Sequence, residues 1–134
     1  MKDQVMISPF FQHLEEAWQL RNNSNLLFIF FEDMKHDLRS IVEKVCKFLN
    51  CTLSESEIEK LLDHLDIKNF RKNPAVNNEW GKEMGVMSKE GTFIRKGKVG
   101  GYKEDFKDHP ELEKEFDEWI KKEMEKCSIE FPKH

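Results

Sequence analysis

The residues best equipped for chemistry lie between Ser88 and Lys103, where five basic side chains stand against one acidic residue, Glu90. Glycines at 91, 97, 100 and 101 let the backbone come close to a ligand and turn its N–H groups toward an anion. Arg95 offers a planar fork that grips a phosphate bidentately, and Lys96 or Lys98 offers a point charge. Phe93 and Tyr102 are of the type that stacks on a base. The same composition also describes a solvated, flexible basic loop, and both readings stay open at this level.

Other candidates are weaker. Glu32-Asp33 follows the most apolar run of the chain. A metal or general-base role is conceivable at the carboxyl end of a strand, but a carboxylate beside the positive end of a following helix is the commoner use. His13, His36, His64, His109 and His134 show no metal-ligand spacing and do not pair with the cysteines. Neither GxSxG nor GxxxxGK[ST] occurs. Motif reading therefore names no catalytic residue and no metal site.

Three cysteines, Cys46, Cys51 and Cys127, form no CxxC, which argues for free thiols and a cytoplasmic setting. Cys46, beside the apolar stripe of its helix, reads as core. A net charge of −4 argues against a nucleic-acid-coating protein. The longest apolar run, Leu26 to Phe31, is far below the ~20 residues of a membrane helix. No signal-peptide pattern is evident at the N-terminus. Eleven Phe and 3 Trp supply apolar groups that a disordered chain lacks.

The elements that must position the basic loop follow from periodicity. Ser8 reads as an N-cap with Pro9 opening a helix, which should stop in the turn-prone Asn22 to Asn25. Leu26 to Phe31, apolar at every position, predicts a strand buried on both faces, the kind found in parallel sheets. A helical stripe then runs through Leu38, Ile41, Val42, Val45, Phe48 and Leu49. The next helix opens with Ser54 and Glu57 as a capping box, followed by a short helix around Ile67 to Arg71. Pro74 to Lys103 should be irregular, and loops of that length are usually functional or disordered. Leu112, Phe116, Trp119, Ile120 and Met124 give the last helix one apolar face. A lone buried parallel strand needs neighbours. The expected fold class is therefore α/β: one partial domain over residues 1–134, mostly helical with one buried strand, belonging to a longer protein.

Phe93-Ile94-Arg95-Lys96-Gly97-Lys98-Val99-Gly100-Gly101-Tyr102-Lys103 closely resembles the F-M-R-K-G-x-x-G-D-W-K signature of cytosolic sulfotransferases. Phe31-Glu32-Asp33-Met34 resembles that family's Y-E-D-M, and Asn73-Pro74-Ala75-Val76-Asn77 its N-P-x-V-N stretch, in the same order. The resemblance implies the C-terminal portion of a P-loop-like three-layer fold. It also implies transfer of a sulfuryl group from 3′-phosphoadenosine 5′-phosphosulfate to a hydroxyl or amine of a small molecule.

By the same resemblance Arg95, Lys96 and Gly97 hold the donor's 3′-phosphate, and Phe31, Leu65, Ile67 and Ile94 belong to its nucleotide contacts. The departures are specific. Phe31 replaces a tyrosine, Leu65-Asp66-Ile67 replaces T-S-F, and Gly101-Tyr102 replaces aspartate and tryptophan. Lys107 and Asp108 stand where the dimer motif has T-V, which argues against the common homodimer contact.

The T-Y-P-K-S-G-T loop, the catalytic histidine and the R-x-x-x-x-x-x-x-S segment do not occur in these residues. The expectation is a chain inactive by itself, with partners limited to a nucleotide donor and a small-molecule acceptor, and with no nucleic acid or membrane. Phe10, Phe11, Trp80 and the segment Glu79 to Met87 are candidates to touch the acceptor. A nucleotide- or anion-binding remnant without catalysis, or a piece that completes a partner's sheet, are the alternatives.

Overall fold

The structure is a computed structural model that describes residues 9–132. Among the described residues eight helices follow one another: α1 Phe10–Gln19, α2 Phe31–His36, α3 Leu38–Phe48, α4 Glu55–Leu65, α5 Ile67–Phe70, α6 Trp80–Glu83, α7 Lys103–Phe106 and α8 Pro110–Met124. None is long and apolar enough to cross a membrane. The chain falls into two compact units, one of residues 9–36 with 100–132 and one of residues 37–99.

In the first unit α1 begins after Pro9, which is the extended N-cap residue and not the first helical one. The predicted cap Ser8 lies outside the described residues. α8 has the proline-first start that suits a helix, since the missing N–H at that position has no intrahelical partner. Phe11 of α1 is buried edge-to-face on Trp119 of α8, with centroids 5.2 Å apart, and Phe116 and Phe106 extend that aromatic row. The segment after α8 returns to α1. There the Glu15 carboxylate accepts from the Ser128 N–H and Oγ–H, each at 2.7 Å, and Ile129 is buried.

The predicted strand is not formed among the described residues. Residues 26–30 are irregular, and Phe31, expected at a strand end, opens α2. A strand exists only as part of a hydrogen-bonded ladder, and the described residues form no second strand to pair with it. The apolar side chains pack on aromatic neighbours. Trp18 meets Phe28 at 5.3 Å and Phe30 at 5.8 Å, and Phe30 meets Phe131 at 5.8 Å.

In the second unit the Asp37 side chain accepts from the Ser40 N–H at 3.0 Å and starts α3. Val42 is buried, as the stripe requires. Glu57 reaches back to the Ser54 N–H at 2.7 Å and starts α4, in line with the predicted capping residues. Arg39 of α3 binds Glu55 and Glu59 of α4, tying the two helices together. Residues 74 to 99 are irregular apart from α6, much as the glycine spacing predicts.

Candidate functional site

The second unit gathers six of the seven residues implicated by the sequence: Leu65, Ile67, Ile94, Arg95, Lys96 and Gly97. α4 ends at Leu65 because Asp66 leaves helical geometry, with φ −55° and ψ 133°. Its carboxylate then accepts from the Lys68 N–H at 2.9 Å and restarts the chain as α5. Asn69 Nδ2 donates to the Asp63 carbonyl at 2.8 Å and pins α5 to the end of α4. Leu65 and Ile67 therefore sit on either side of one capped corner. Both are half-buried.

Gly97 lies against that corner. Its φ is +59°, a left-handed value that a residue with a Cβ adopts at a cost. A Cβ placed there would come within 2.9 Å of Ile67 Cδ1 and 3.0 Å of Ile67 Cγ1. Both the turn and the close approach require glycine at 97.

Arg71, the C-cap residue of α5, anchors the loop from the other side. Its Nε–H donates to the Ile94 carbonyl at 3.2 Å, and its Nη2–H donates to the Arg95 carbonyl. A guanidinium bridging two successive carbonyls fixes the backbone from which the Arg95 and Lys96 side chains spring. Arg95 is exposed, and Ile94, Lys96 and Gly97 are half-buried. Sequence reasoning gave Arg71 no part in this site. The contacts span 23 and 24 residues, and no local pattern announces such a bond.

Phe31 belongs to the other unit. It is 43% exposed at the start of α2, and Glu32 and Asp33 occupy the first turn of that helix. There their charge favours the helix dipole. Of the two candidate stacking rings, Phe93 is exposed, and Tyr102 packs edge-on to Phe106 at 6.3 Å. Among the described residues no group of three or more His, Cys, Asp or Glu side chains is placed to hold a metal ion. The corner and its loop present a guanidinium, an ammonium and a left-handed glycine on one anchored turn. They present no acid–base pair.

The chain belongs to the sulfotransferase family: the sulfotransferase domain matches residues 1–128. It is similar to retinol dehydratase in complex with retinol and PAP, with a TM-score of 0.83 and 36% identity over 96% of this chain and 37% of that one. It is 33% identical to sulfotransferase 1E1 of Mus musculus over 98% of this chain and 44% of that protein. Luciferin sulfotransferase of Photinus pyralis is 33% identical over 96% of this chain and 35% of that protein. The chain thus spans less than half the length of these relatives.

Proposed function

We propose that this chain supplies the nucleotide clamp of a sulfotransferase that moves a sulfuryl group from 3′-phosphoadenosine 5′-phosphosulfate to a hydroxyl or amine of a small molecule. The observation that carries the reading is the Arg71 bridge to the carbonyls of Ile94 and Arg95. It joins the loop bearing Arg95, Lys96 and Gly97 to the corner bearing Leu65 and Ile67. A 3′-phosphate takes charge-assisted hydrogen bonds from Arg95 and Lys96 and from backbone turned by Gly97, and Leu65, Ile67 and Ile94 of the same unit offer apolar surface to the adenosine. The donor set fits the nucleotide: two cations and a left-handed glycine suit a phosphate, and neighbouring aliphatic groups suit a base. The PAP complexes among the matched structures support the choice of ligand.

The nucleotide supplies the activated sulfuryl group. This chain's part is to hold its far end in place, because positioning and charge stabilisation dominate in-line transfers of this kind. In the whole protein, residues 26–30 complete a sheet with strands from outside residues 1–134, residues 1–134 are one part of that domain, and its setting is cytoplasmic. The altered residues Lys107 and Asp108 leave the family's common dimer contact unformed.

The test fuses the chain behind the upstream part of the Photinus pyralis luciferin sulfotransferase and follows transfer of labelled sulfate. Turnover is expected from the fusion and not from residues 1–134 alone, and Arg95→Ala should lower kcat/KM at least about tenfold, the loss of one hydrogen bond to a charged group. Turnover indifferent to Arg95→Ala contradicts the assignment.

A further inference from the structure

Cys46 and Cys51 have no part in the site described above. α3 ends between them in a specific cap. The Cys51 N–H donates to the Cys46 carbonyl at 2.9 Å and the Asn50 N–H to the Lys47 carbonyl at 3.2 Å, while Asn50 takes φ +53°. This pair of bonds around one left-handed residue is the Schellman motif, which brings the side chains at its two ends into contact. In this chain both ends are cysteine. Asparagine suits the turn because it tolerates the left-handed conformation better than most residues. Cys51 is exposed and Cys46 half-buried. Burial raises the Cys46 thiol, and a hydrogen bond with Cys51 and nearby negative charge on Cys51 and Glu43 add to the rise.

We propose that Cys46 and Cys51 form a modification site, a thiol pair that closes to an intramolecular disulfide by exchange with a small-molecule disulfide such as glutathione disulfide. The exposed Cys51, as thiolate, attacks one sulfur of the oxidant, breaks its S–S bond and releases one glutathione thiolate, which takes up a proton. Cys46 then gives its proton to solvent and attacks the Cys51 sulfur of the mixed disulfide. The second glutathione leaves and is protonated. Two protein thiols are oxidised and one glutathione disulfide is reduced to two thiols. Cys127 lacks such a partner geometry: its thiol donates to the Glu123 and Phe11 carbonyls at 3.5 and 3.8 Å, and burial raises it most.

The experiment exposes the fused protein described above to glutathione buffers of increasing oxidation, blocks remaining thiols with an alkylating agent and maps the peptides by mass. The peptide holding Cys46 and Cys51 should lose two hydrogens and take no label, while Cys127 stays labelled. Cys46→Ser should accumulate a glutathione adduct on Cys51. Cysteines this near in sequence also close in an unfolded chain, so the rate is compared with that in urea and in Asn50→Val. Both should close about tenfold more slowly, because the preorganised approach is lost, and Asn50→Gly should keep the native rate. The proposal is overturned if both thiols remain fully labelled in the oxidising buffer, or if closure is as fast in urea and in Asn50→Val as in the native chain.

Discussion

Arg71 grips Arg95 through its backbone: the guanidinium of the first donates to the carbonyl oxygen of the second, and to that of Ile94 beside it. One arginine fixes the loop and the other is presented by it. In the proposed clamp Arg71 would be a positioning residue.

Removing Arg71 should therefore weaken nucleotide binding without removing any ligand contact. In the fused protein, Arg71→Ala is expected to lower affinity for a 3′-phosphorylated nucleotide about tenfold, the equivalent of one hydrogen bond involving a charged group. Arg71→Lys should recover part of the loss, since an ammonium cannot reproduce the planar fork. Calorimetry checks both, and unchanged affinity in Arg71→Ala would show that the bridge is idle.

Gly97 is the second element of that arrangement. Gly97→Ala should destabilise the chain by about 1–2 kcal/mol through the left-handed φ, with crowding of Ile67 added. Gly97→Asn should cost less for the turn itself, as asparagine visits this region readily. Ile67→Val in the Gly97→Ala background should return only the crowding part. Chemical denaturation measures all three, and an Ala variant as stable as the parent would rule the argument out.

Acid should loosen the segment after α8. The Glu15 carboxyl is held below its ordinary value of 4.5, first by the Ser128 hydroxyl, then by Gln19 and by the Ser128 and Ile129 N–H groups. A depressed folded-state pKa stabilises the fold fully above the unfolded value, and that contribution is lost as pH falls through the folded value. Amide protection factors at residues 128 and 129, corrected for the intrinsic exchange rate, should accordingly fall on acidification below about pH 4.5. In Glu15→Gln protection should already be low at neutral pH and lose this acid-dependent part. A pH profile identical in the two proteins would contradict the assignment.

How much of this was legible in the sequence depends on the range of the interaction. The start of α4 rests on Ser54 with Glu57, three residues apart, so the pattern carried it, whereas the Asp37 cap that starts α3 was not read. The strand expected at 26–31 is not formed among the described residues, because its composition records burial, whereas a strand also needs a partner ladder. The basic loop could be proposed as an anion site from its residue types alone. The part of Arg71 in anchoring that loop could not be read. Its bonds join positions 23 and 24 residues apart, and nothing near Arg71 distinguishes it from a solvated helix end.

Leu49, Trp80, Met84, Val86 and Phe93 are all exposed, and among the described residues Phe11, Val42 and Ile129 are the only buried apolar side chains. So much open apolar surface favours association. The chain alone should bind an apolar-surface dye and melt broadly, and the fused protein should do neither. A sharp cooperative melt of a monodisperse 134-residue chain would count against the proposal that the rest of a larger domain covers this surface.

The central claim is that Arg95, Lys96 and Gly97 receive a 3′-phosphate, and calorimetry on the fused protein addresses it most directly. Adenosine 3′,5′-bisphosphate is compared with adenosine 5′-monophosphate, with Arg95→Ala and Lys121→Ala as paired variants. The 3′-phosphate should improve affinity by roughly ten- to hundredfold, as expected for hydrogen bonds to charged groups. Arg95→Ala should erase most of that preference, Lys121→Ala on α8 should leave it intact, and rising salt should weaken it because Arg95 is exposed. Equal affinity for the two nucleotides would contradict the account.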